Sequence, residues 1–327
     1  MQRNCSRQWL QLFNFAKWMS HTRGRNARKA AYKREKNMKF AIFGNKHQSK
    51  KSENIENLFA TINEWKDTFI IDRPFYEYLL EEGKLFAQPE GIIDGDDFDA
   101  DIAISFGGDG TFLRTANRVG SKNIPLLGIN AGRLGFLTSF SAGNVSELFE
   151  CLHRGEYTIE ERDVIEVSAS DKQLQNNPYA LNEVAVMKHD NSSMISIEAS
   201  LNGNERITYQ ADGLIIAAPS GSTGYSLSAG GPIIAPDANV FVLTPIASHS
   251  LNARPVVVND RTEVTLKVVS RSHNYLVAID GRNEECDENT TLTLRKAAYT
   301  IKIVKVKGQT FFKTLHDKMM WGADLRN

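Results

Sequence analysis

Three glycines surround one carboxylate at residues 107–111, and this combination suits chemistry on a phosphate group. Glycines allow a backbone to approach a ligand closely, and Asp109 places an acid beside that ligand. A simpler interpretation is a turn between a strand and a helix, in which Asp109 caps a helix that begins near Thr111. These five residues alone favour neither interpretation.

Four further polar clusters occur in the second half of the sequence, where a purely structural domain would not need them. They are Asn182-Glu183, Asp212-Gly213, residues 219–226 and Asp280-Gly281. The third cluster mixes hydroxyl side chains with glycines, so donors and acceptors lie on a backbone that a nucleotide can approach. Taken singly, the Asp-Gly pairs are also common turn dipeptides, and Ser222 or Thr223 could cap a short helix.

The first half of the sequence must position residues 107–111, and it alternates strand-like runs with helical spacing. The predicted strands lie at 39–44, 68–71, 102–106 and 124–129, and the first two predicted helices at 55–65 and 75–82. Such alternation indicates βαβ units and a mainly parallel sheet. Residues 107–111 then follow a strand at its carboxyl end, where open α/β sheets bind ligands. The glycine-punctuated loop 130–138 lies on the same edge.

From about Arg162 the pattern changes to short strand-like runs separated by polar turns, which predicts an all-β domain, a β-sandwich. The runs lie at 164–169, 181–187, 195–201, 207–210 and 214–218, and near Val240, Val256, Val264, Tyr275, Leu292 and Ile301. We expect an α/β domain at 38–155 and a β-sandwich domain at 156–308. The C-terminal segment 309–327 could return to the α/β domain.

The composition of the 327 residues, 41% hydrophobic and 24% charged, is that of a globular protein and excludes a disordered chain. Basic and acidic residues balance at 39 each, so the overall charge favours neither nucleic acid nor a membrane as partner. No apolar run reaches the roughly twenty residues of a membrane helix. Three cysteines without the spacing of zinc or redox sites indicate a cytoplasmic protein.

Residues 1–37 differ from the rest, because they carry ten Lys or Arg and one acid, Glu35. Such a segment could be an amphipathic arm for nucleic acid or a membrane surface. We favour a dispensable basic extension, disordered or produced by a misplaced translation start, because Met38 immediately precedes the first predicted strand.

Taken together and in this order, the polar clusters resemble the motif series of NAD kinases. The matching motifs are Gly107-Gly108-Asp109-Gly110-Thr111, Asn182-Glu183, Gly221-Ser222-Thr223-Gly224-Tyr225, Ser228-Ala229-Gly230-Gly231-Pro232, Thr244-Pro245-Ile246 with His249-Ser250-Leu251, and Asp280-Gly281. The resemblance implies a Rossmann-like α/β domain and a β-sandwich domain with the active site between them. It also implies transfer of the terminal phosphoryl group of ATP to the 2′-hydroxyl of the adenosine ribose of NAD, which gives NADP.

The resemblance implies roles for individual residues. Asp109 matches the catalytic aspartate, expected to orient or deprotonate the 2′-hydroxyl and to lie near Mg²⁺ without ligating it directly. Asn182 and Glu183 match the pair that holds the NAD ribose hydroxyls. Asp212 matches an acid near the nicotinamide, and Asp280 an acid for the diphosphate-ribose region, often supplied by a neighbouring subunit. Gly107, Gly108 and Gly110 match the loop that faces the transferring phosphates, and Phe136, Ser220, Ser222, Thr223, Gly224 and Tyr225 match the adenosine site. Thr111 and Arg114 are further expected binding residues.

Three details bear on these matches. Neighbours on a regular strand point to opposite faces, so Asn182 and Glu183 can reach one ligand only where the strand ends or twists. Many relatives have alanine where this chain has Gly224, and glycine keeps the small size with some loss of rigidity. Ser248 replaces a common proline, and we interpret the following His249 as a structural histidine.

Two other functions stay open. A related kinase could act on a lipid or sugar phosphate, although the Asn182-Glu183 pair and the hydroxyl-rich cluster suit ribose and adenine better. A non-catalytic NAD-sensing module could dispense with Asp109, which is present here. The resemblance implies ATP, NAD and Mg²⁺ as ligands and a homodimer or homotetramer, while we expect neither nucleic acid nor a membrane as partner.

Overall fold

The computed structural model describes residues 37–45, 52–132, 135–138, 140–190 and 193–322. The predicted basic extension, apart from Asn37, lies outside the described residues, and so does the end of the C-terminal segment. From Met38 onward the described residues form one unit.

The α-helices of the described residues are α1 (Ser52–Trp65), α2 (Arg73–Glu81), α3 (Asp109–Val119), α4 (Val145–His153), α5 (Tyr225–Ser228) and α6 (Phe311–Met319). Short 3-10 helices occur at Gly120–Lys122, Ala142–Asn144 and Pro219–Thr223. The periodicity predicted α1 and α2 but gave no prediction for α4. No helix among the described residues has the length and hydrophobicity to cross a membrane.

The strands of the first half are β1 (Lys39–Gly44), β2 (Thr68–Asp72), β3 (Gly91–Ile93), β4 (Ile102–Gly107), β5 (Leu126–Asn130) and β6 (Phe140–Ser141). Those of the second half are β7 (Tyr157–Ala169), β8 (Tyr179–Ala180), β9 (Glu183–Lys188), β10 (Ile195–Leu201), β11 (Glu205–Ala211), β12 (Gly213–Ala217), β13 (Val240–Ile246), β14 (Val256–Asn259), β15 (Val264–Val269), β16 (Asn274–Ile279), β17 (Arg282–Asp287) and β18 (Leu292–Val306).

The first half forms the predicted parallel α/β layer. Strands β3, β2, β1, β4 and β5 lie side by side in this order, and each neighbouring pair is parallel. Alternate residues of β1 enter different cores: Phe40 packs in the core with Leu58 of α1, whereas Phe43 packs in the core with Phe112 of α3. This alternation follows from the two-residue period of a strand, and it covers both faces of the sheet with helices.

The second half forms the predicted β-sandwich. A six-stranded antiparallel sheet has the order β14-β13-β12-β9-β16-β17. Its inward side chains, such as Val186 and Ile216, share one core with Ile197 of β10 and Leu266 of β15 in the other sheet. The fold is therefore α/β plus all-β, as predicted.

The two halves share one sheet of twelve strands. Strand β18 pairs along its length with antiparallel β7, and Ile303 of β18 also pairs with Leu126 of the parallel strand β5. The runs near Leu292 and Ile301, predicted separately, are one strand with a register shift between Lys296 and Thr300. This long strand joins the parallel layer directly to the sandwich.

Candidate active site

Asp109 is the first residue of α3, at the carboxyl end of β4. Its carboxylate accepts hydrogen bonds from the amides of Phe136 (2.8 Å), Leu137 (3.1 Å) and Thr138 (3.0 Å), and from the Thr138 hydroxyl (2.9 Å). The alternative of an Asp109 cap for a helix starting near Thr111 is wrong, because Gly108 is the N-cap and no side chain caps this helix. The carboxylate instead fixes the loop that follows β5.

Glycines make the close approach of this loop possible. A Cβ atom on Gly135 would lie 1.8 Å from Asp109 Oδ1, and one on Gly107 would lie 2.4 Å from the Thr111 hydroxyl oxygen. The Thr138 hydroxyl also accepts a hydrogen bond of 2.9 Å from the Asn130 side-chain amide. These partners could not be predicted from the sequence, because most of them are backbone amides. Leu134 of the same loop lies outside the described residues.

The residues matched to the adenosine pocket lie on the 3-10 helix Pro219–Thr223 and at the start of α5. Ser220 and Thr223 line a small cavity together with Phe136 and Leu137, whose amides hold Asp109. Ser222 is fully buried, and its hydroxyl donates to the Pro219 carbonyl and accepts from the Ile234 amide. The cluster is thus adjacent to the Asp109 loop, with Ser222 serving its internal structure.

Asn182 and Glu183 lie where β9 begins, which meets the requirement that the strand end there if both are to face one ligand. Asn182 Oδ1 and Glu183 Oε2 are buried, and neither has a hydrogen-bond partner among the described residues. A Cβ atom on Gly224 would lie 2.9 Å from Glu183 Oε2, so glycine at this position leaves room for the carboxyl group. Buried acceptors without partners are costly, and ligand hydroxyls would satisfy them.

Two acids at this position have raised pKa values. Burial, with a contribution from Asp280, raises the pKa of Glu183 to about 7, while a hydrogen bond from the Tyr225 amide opposes the shift. Burial also raises the pKa of Asp280, although three backbone amides oppose that shift.

Asp280 positions the start of β9. Its carboxylate accepts hydrogen bonds from the amides of Leu181 (2.7 Å), Asn182 (2.9 Å) and Glu183 (3.1 Å). Asp280 has a φ of +46° in the turn between β16 and β17, a conformation that aspartate and asparagine adopt more readily than most residues. Asp280 of this chain therefore supports the Asn182-Glu183 pair of the same chain.

A cleft of about 600 Å³ lies along α3. Thr111 and Arg114 line it, together with two arginines that the sequence analysis missed, Arg118 and Arg282. Arg118 pairs with Asp72 at 3.0 Å. These arginines come from α3 and β17, and only the fold shows that they are close. The acids Asp72, Glu77 and Glu81 line the same cleft, so its arginines and acids balance in number.

Asp212 is separate from this group. It lies between β11 and β12 and pairs with Lys188 Nζ at 2.8 Å. Lys188 is the last residue of β9 and Glu183 the first, so about 17 Å of strand separates Asp212 from the Asn182-Glu183 pair. His249 is exposed, which contradicts the interpretation as a structural histidine.

Both halves of the chain are similar in sequence to known proteins. The family model for the ATP-NAD kinase N-terminal domain matches residues 27–157, and that for the ATP-NAD kinase C-terminal domain matches residues 181–306. The NAD kinase of Bacteroides fragilis is 54% identical over 289 residues, which are 88% of this chain and 100% of that protein. The NAD kinase of Porphyromonas gingivalis is 44% identical over 288 residues, 88% of this chain and 99% of that protein.

Two solved structures have folds similar to that of this chain. Yeast NADH kinase complexed with NADH superposes with a TM-score of 0.75 at 21% identity, covering 89% of each chain, which supports the fold. An NAD kinase from Archaeoglobus fulgidus in complex with ATP has a TM-score of 0.67 at 26% identity, covering 86% of this chain and 99% of that one. The chain belongs to the NAD kinase family.

Proposed function

We propose that the chain transfers the terminal phosphoryl group of ATP to the 2′-hydroxyl of the adenosine ribose of NAD, with Asp109 as the catalytic residue. The observation that carries the proposal is the fixed Asp109 carboxylate, whose neighbouring residues line both the adenosine cluster and the large cleft. The adenosine cluster and the Asp109 loop line one small cavity, and the cleft includes Thr111, two residues along the chain from Asp109.

The hydrogen bonds of Asp109 suggest which oxygen acts. Oδ1 accepts three hydrogen bonds, from the Leu137 amide and from the amide and hydroxyl of Thr138, whereas Oδ2 accepts one, from the Phe136 amide. A carboxylate oxygen has about two lone-pair sites, so Oδ2 can accept another hydrogen bond. We assign Oδ2 to the 2′-hydroxyl, which it orients and from which it receives the proton as the phosphoryl group is transferred.

The ribose hydroxyls of NAD would satisfy Asn182 Oδ1 and Glu183 Oε2, the buried acceptors described above. The phosphates of ATP would lie in the cleft, where Arg114, Arg118 and Arg282 could donate hydrogen bonds to them; the acids Asp72, Glu77 and Glu81 line the same cleft. Phosphoryl transfer depends mainly on position and on neutralised charge, and this arrangement provides both without a protein nucleophile.

The site also suits Mg²⁺ that arrives with the nucleotide. No group of three or more acidic, histidine or cysteine side chains that could hold a metal occurs among the described residues. Mg²⁺ commonly uses one or two carboxylates and the substrate phosphates, and Asp109 and Asp72 are the acids next to the phosphate positions. When bound, the ion would neutralise charge on the transferring phosphoryl group.

Asp212 supports a homo-oligomer. Because it is about 17 Å along the sheet from Glu183, it would reach an NAD site more readily in a second copy than in its own. We propose a homodimer or homotetramer in the cytoplasm, where NAD and ATP are both available. The free cysteines Cys151 and Cys286 are consistent with a reducing compartment.

The test is incubation of the purified protein with NAD, ATP and Mg²⁺, followed by an NADP-specific dehydrogenase assay. We expect NADP from the wild type, and Asp109→Asn should lower kcat by about a thousandfold while NAD affinity changes only a few-fold. Absence of NADP above a heat-inactivated control would refute the activity. Near-normal turnover of Asp109→Asn would remove this residue from the mechanism.

A further inference from the structure

The small cavity lined by Ser220, Thr223, Phe136 and Leu137 has a volume of about 30 Å³, and we call it the basic cavity. Its walls include Arg162 of β7, Lys305 of β18, Ser220, and Thr310 and Phe311 at the start of α6. Its volume admits water molecules or a small ion. The role proposed above for NAD and ATP uses neither basic residue.

Arg162 is only 5% exposed and presents hydrogen-bond donors to this space. One guanidinium nitrogen donates to the Ser220 hydroxyl oxygen at 3.0 Å, and another forms an ion pair with Glu160. Its Nε is buried and has no hydrogen-bond partner among the described residues. Arginine cannot accept, so the Ser220 oxygen is the acceptor and its own hydroxyl proton can be donated elsewhere.

Lys305 adds a second positive charge. No carboxylate of the described residues lies within ion-pair distance of its Nζ, and Glu160 of the cavity wall is already paired with Arg162. Burial and the neighbouring Arg162 both lower the pKa of Lys305. The other acid acting on Arg162 is the exposed Asp237. Two partly or fully buried cations thus share one acid in the cavity wall, which is unfavourable unless an anion joins them.

The N-terminus of α6 also favours the binding of an anion. Thr310 is its N-cap, and the Thr310 hydroxyl accepts the Lys313 amide. The amides of Phe311 and Phe312, in the first turn, have no acceptor within the helix. This end of a helix carries partial positive charge, and the nine-residue helix begins at the cavity wall.

We propose that the basic cavity binds a small oxyanion of the phosphate class, held by Arg162, Lys305 and the start of α6. The phosphate could be free inorganic phosphate or a phosphate monoester on a nucleotide, such as the 2′-phosphate of NADP; the second source rests on the function proposed above. Because Ser220 and Phe136 also line the cavity, an anion there contacts the wall of the adenosine cluster.

Equilibrium dialysis of labelled inorganic phosphate against the full chain tests the site. We expect about one phosphate per chain for the wild type and at least about a tenfold weaker affinity for Lys305→Met. Lys313→Met, a change at an exposed residue of α6, is the matched control and should bind phosphate as the wild type does. Arg114→Met distinguishes phosphate held in the cleft, because loss of binding in that variant alone would overturn the proposal.

A second arm measures the affinities of NAD and NADP for the same variants. Weaker NADP binding with unchanged NAD binding in Lys305→Met would identify a nucleotide phosphate as the occupant. Lys305→Gln repeats the measurement with a polar side chain, and thermal unfolding verifies that each variant folds. If Lys305→Met changes neither phosphate nor NADP affinity, or if Lys313→Met changes them equally, the proposal is wrong.

Discussion

At the scale of single residues, the Asp109 carboxylate uses its two oxygens unequally. Oδ1 serves the loop after β5, and we assign Oδ2 to substrate. The same side chain is therefore both a structural acceptor and the proposed catalytic group. Substitutions of Asp109 disturb both functions at once, so a change in the loop that leaves Asp109 in place separates them better.

Gly135→Ala is that change. The new Cβ would meet Asp109 Oδ1 at 1.8 Å and the Thr138 hydroxyl oxygen at 2.4 Å, so the carboxylate must move. We expect kcat to fall by about a hundredfold, since misplacement of a catalytic group by about an ångström has such an effect. Steady-state kinetics of NADP formation measure it.

Gly132→Ala provides the control in the same loop. Among the described residues, the atom nearest to its Cβ would be the Asn130 side-chain oxygen, at 4.0 Å. We expect kcat within about twofold of the wild type, because an ordinary van der Waals contact requires no movement. If kcat falls equally in both variants, the loop tolerates no added side chain at either position. The loss in Gly135→Ala would then not show that turnover depends on the position of Asp109.

The raised pKa of Glu183 leads us to expect that both stability and NAD affinity depend on pH. Its pKa rises from an ordinary value of 4.5 to about 7 in the folded protein, so the folded state binds the proton more tightly than the unfolded state. Stability of the ligand-free protein should therefore fall as the pH rises from 4.5 to about 7, and level off above. NAD affinity should rise over the upper part of this range, because an ionised carboxylate accepts ribose hydroxyls more strongly.

Chemical unfolding and NAD titrations at several pH values measure both trends. Glu183→Gln should flatten both profiles, since glutamine does not titrate. If the profiles persist in Glu183→Gln, the titrating group is another acid, and Asp280 is the first to test because burial raises its pKa as well.

At the scale of elements, the turn between β16 and β17 determines where β9 begins. Asp280→Ala removes the acceptor of three amides, and we expect a loss of about 2–4 kcal/mol in unfolding free energy together with weaker NAD binding. Asp280→Asn keeps one acceptor oxygen and tolerates the positive φ, so its losses should be smaller. Denaturant unfolding and KM for NAD rank the variants, and equal effects would argue against an acceptor role.

The elements show what the sequence could predict. Periodicity and residue type located β1, β4 and α1, because one buried face forces a regular pattern. The cap interpretation of Asp109 could be rejected only from the structure, because the loop that contains Gly135 comes close to Asp109 only in the fold. Arg282 was missed because β17 consists almost entirely of polar residues and therefore lacks the alternation of apolar and polar residues that predicts a strand. Strand β18 was divided in two because its pattern breaks at the register shift after Lys296.

At the scale of the whole molecule, the position of Asp212 predicts complementation between copies. We expect Asp109→Asn and Asp212→Asn each to lose activity. If Asp212 serves the site of a second copy, co-expression of the two variants should restore about a quarter of wild-type activity, because mixed dimers regain one intact site in two. The same kinetic assay on the mixture, with each variant alone as control, measures this. If co-expression restores no activity, Asp212 does not contribute to the site of a second copy.

Strand β18 limits how the molecule can move. It pairs with β7 of the sandwich along its length and with β5 of the parallel layer through Ile303 and Leu126. A hinge rotation that separated the two halves would have to break this shared sheet, unlike domain closure in proteins whose halves meet only through linkers. We therefore expect substrates to enter and leave through rearrangements of loops and side chains, while the shared sheet stays intact.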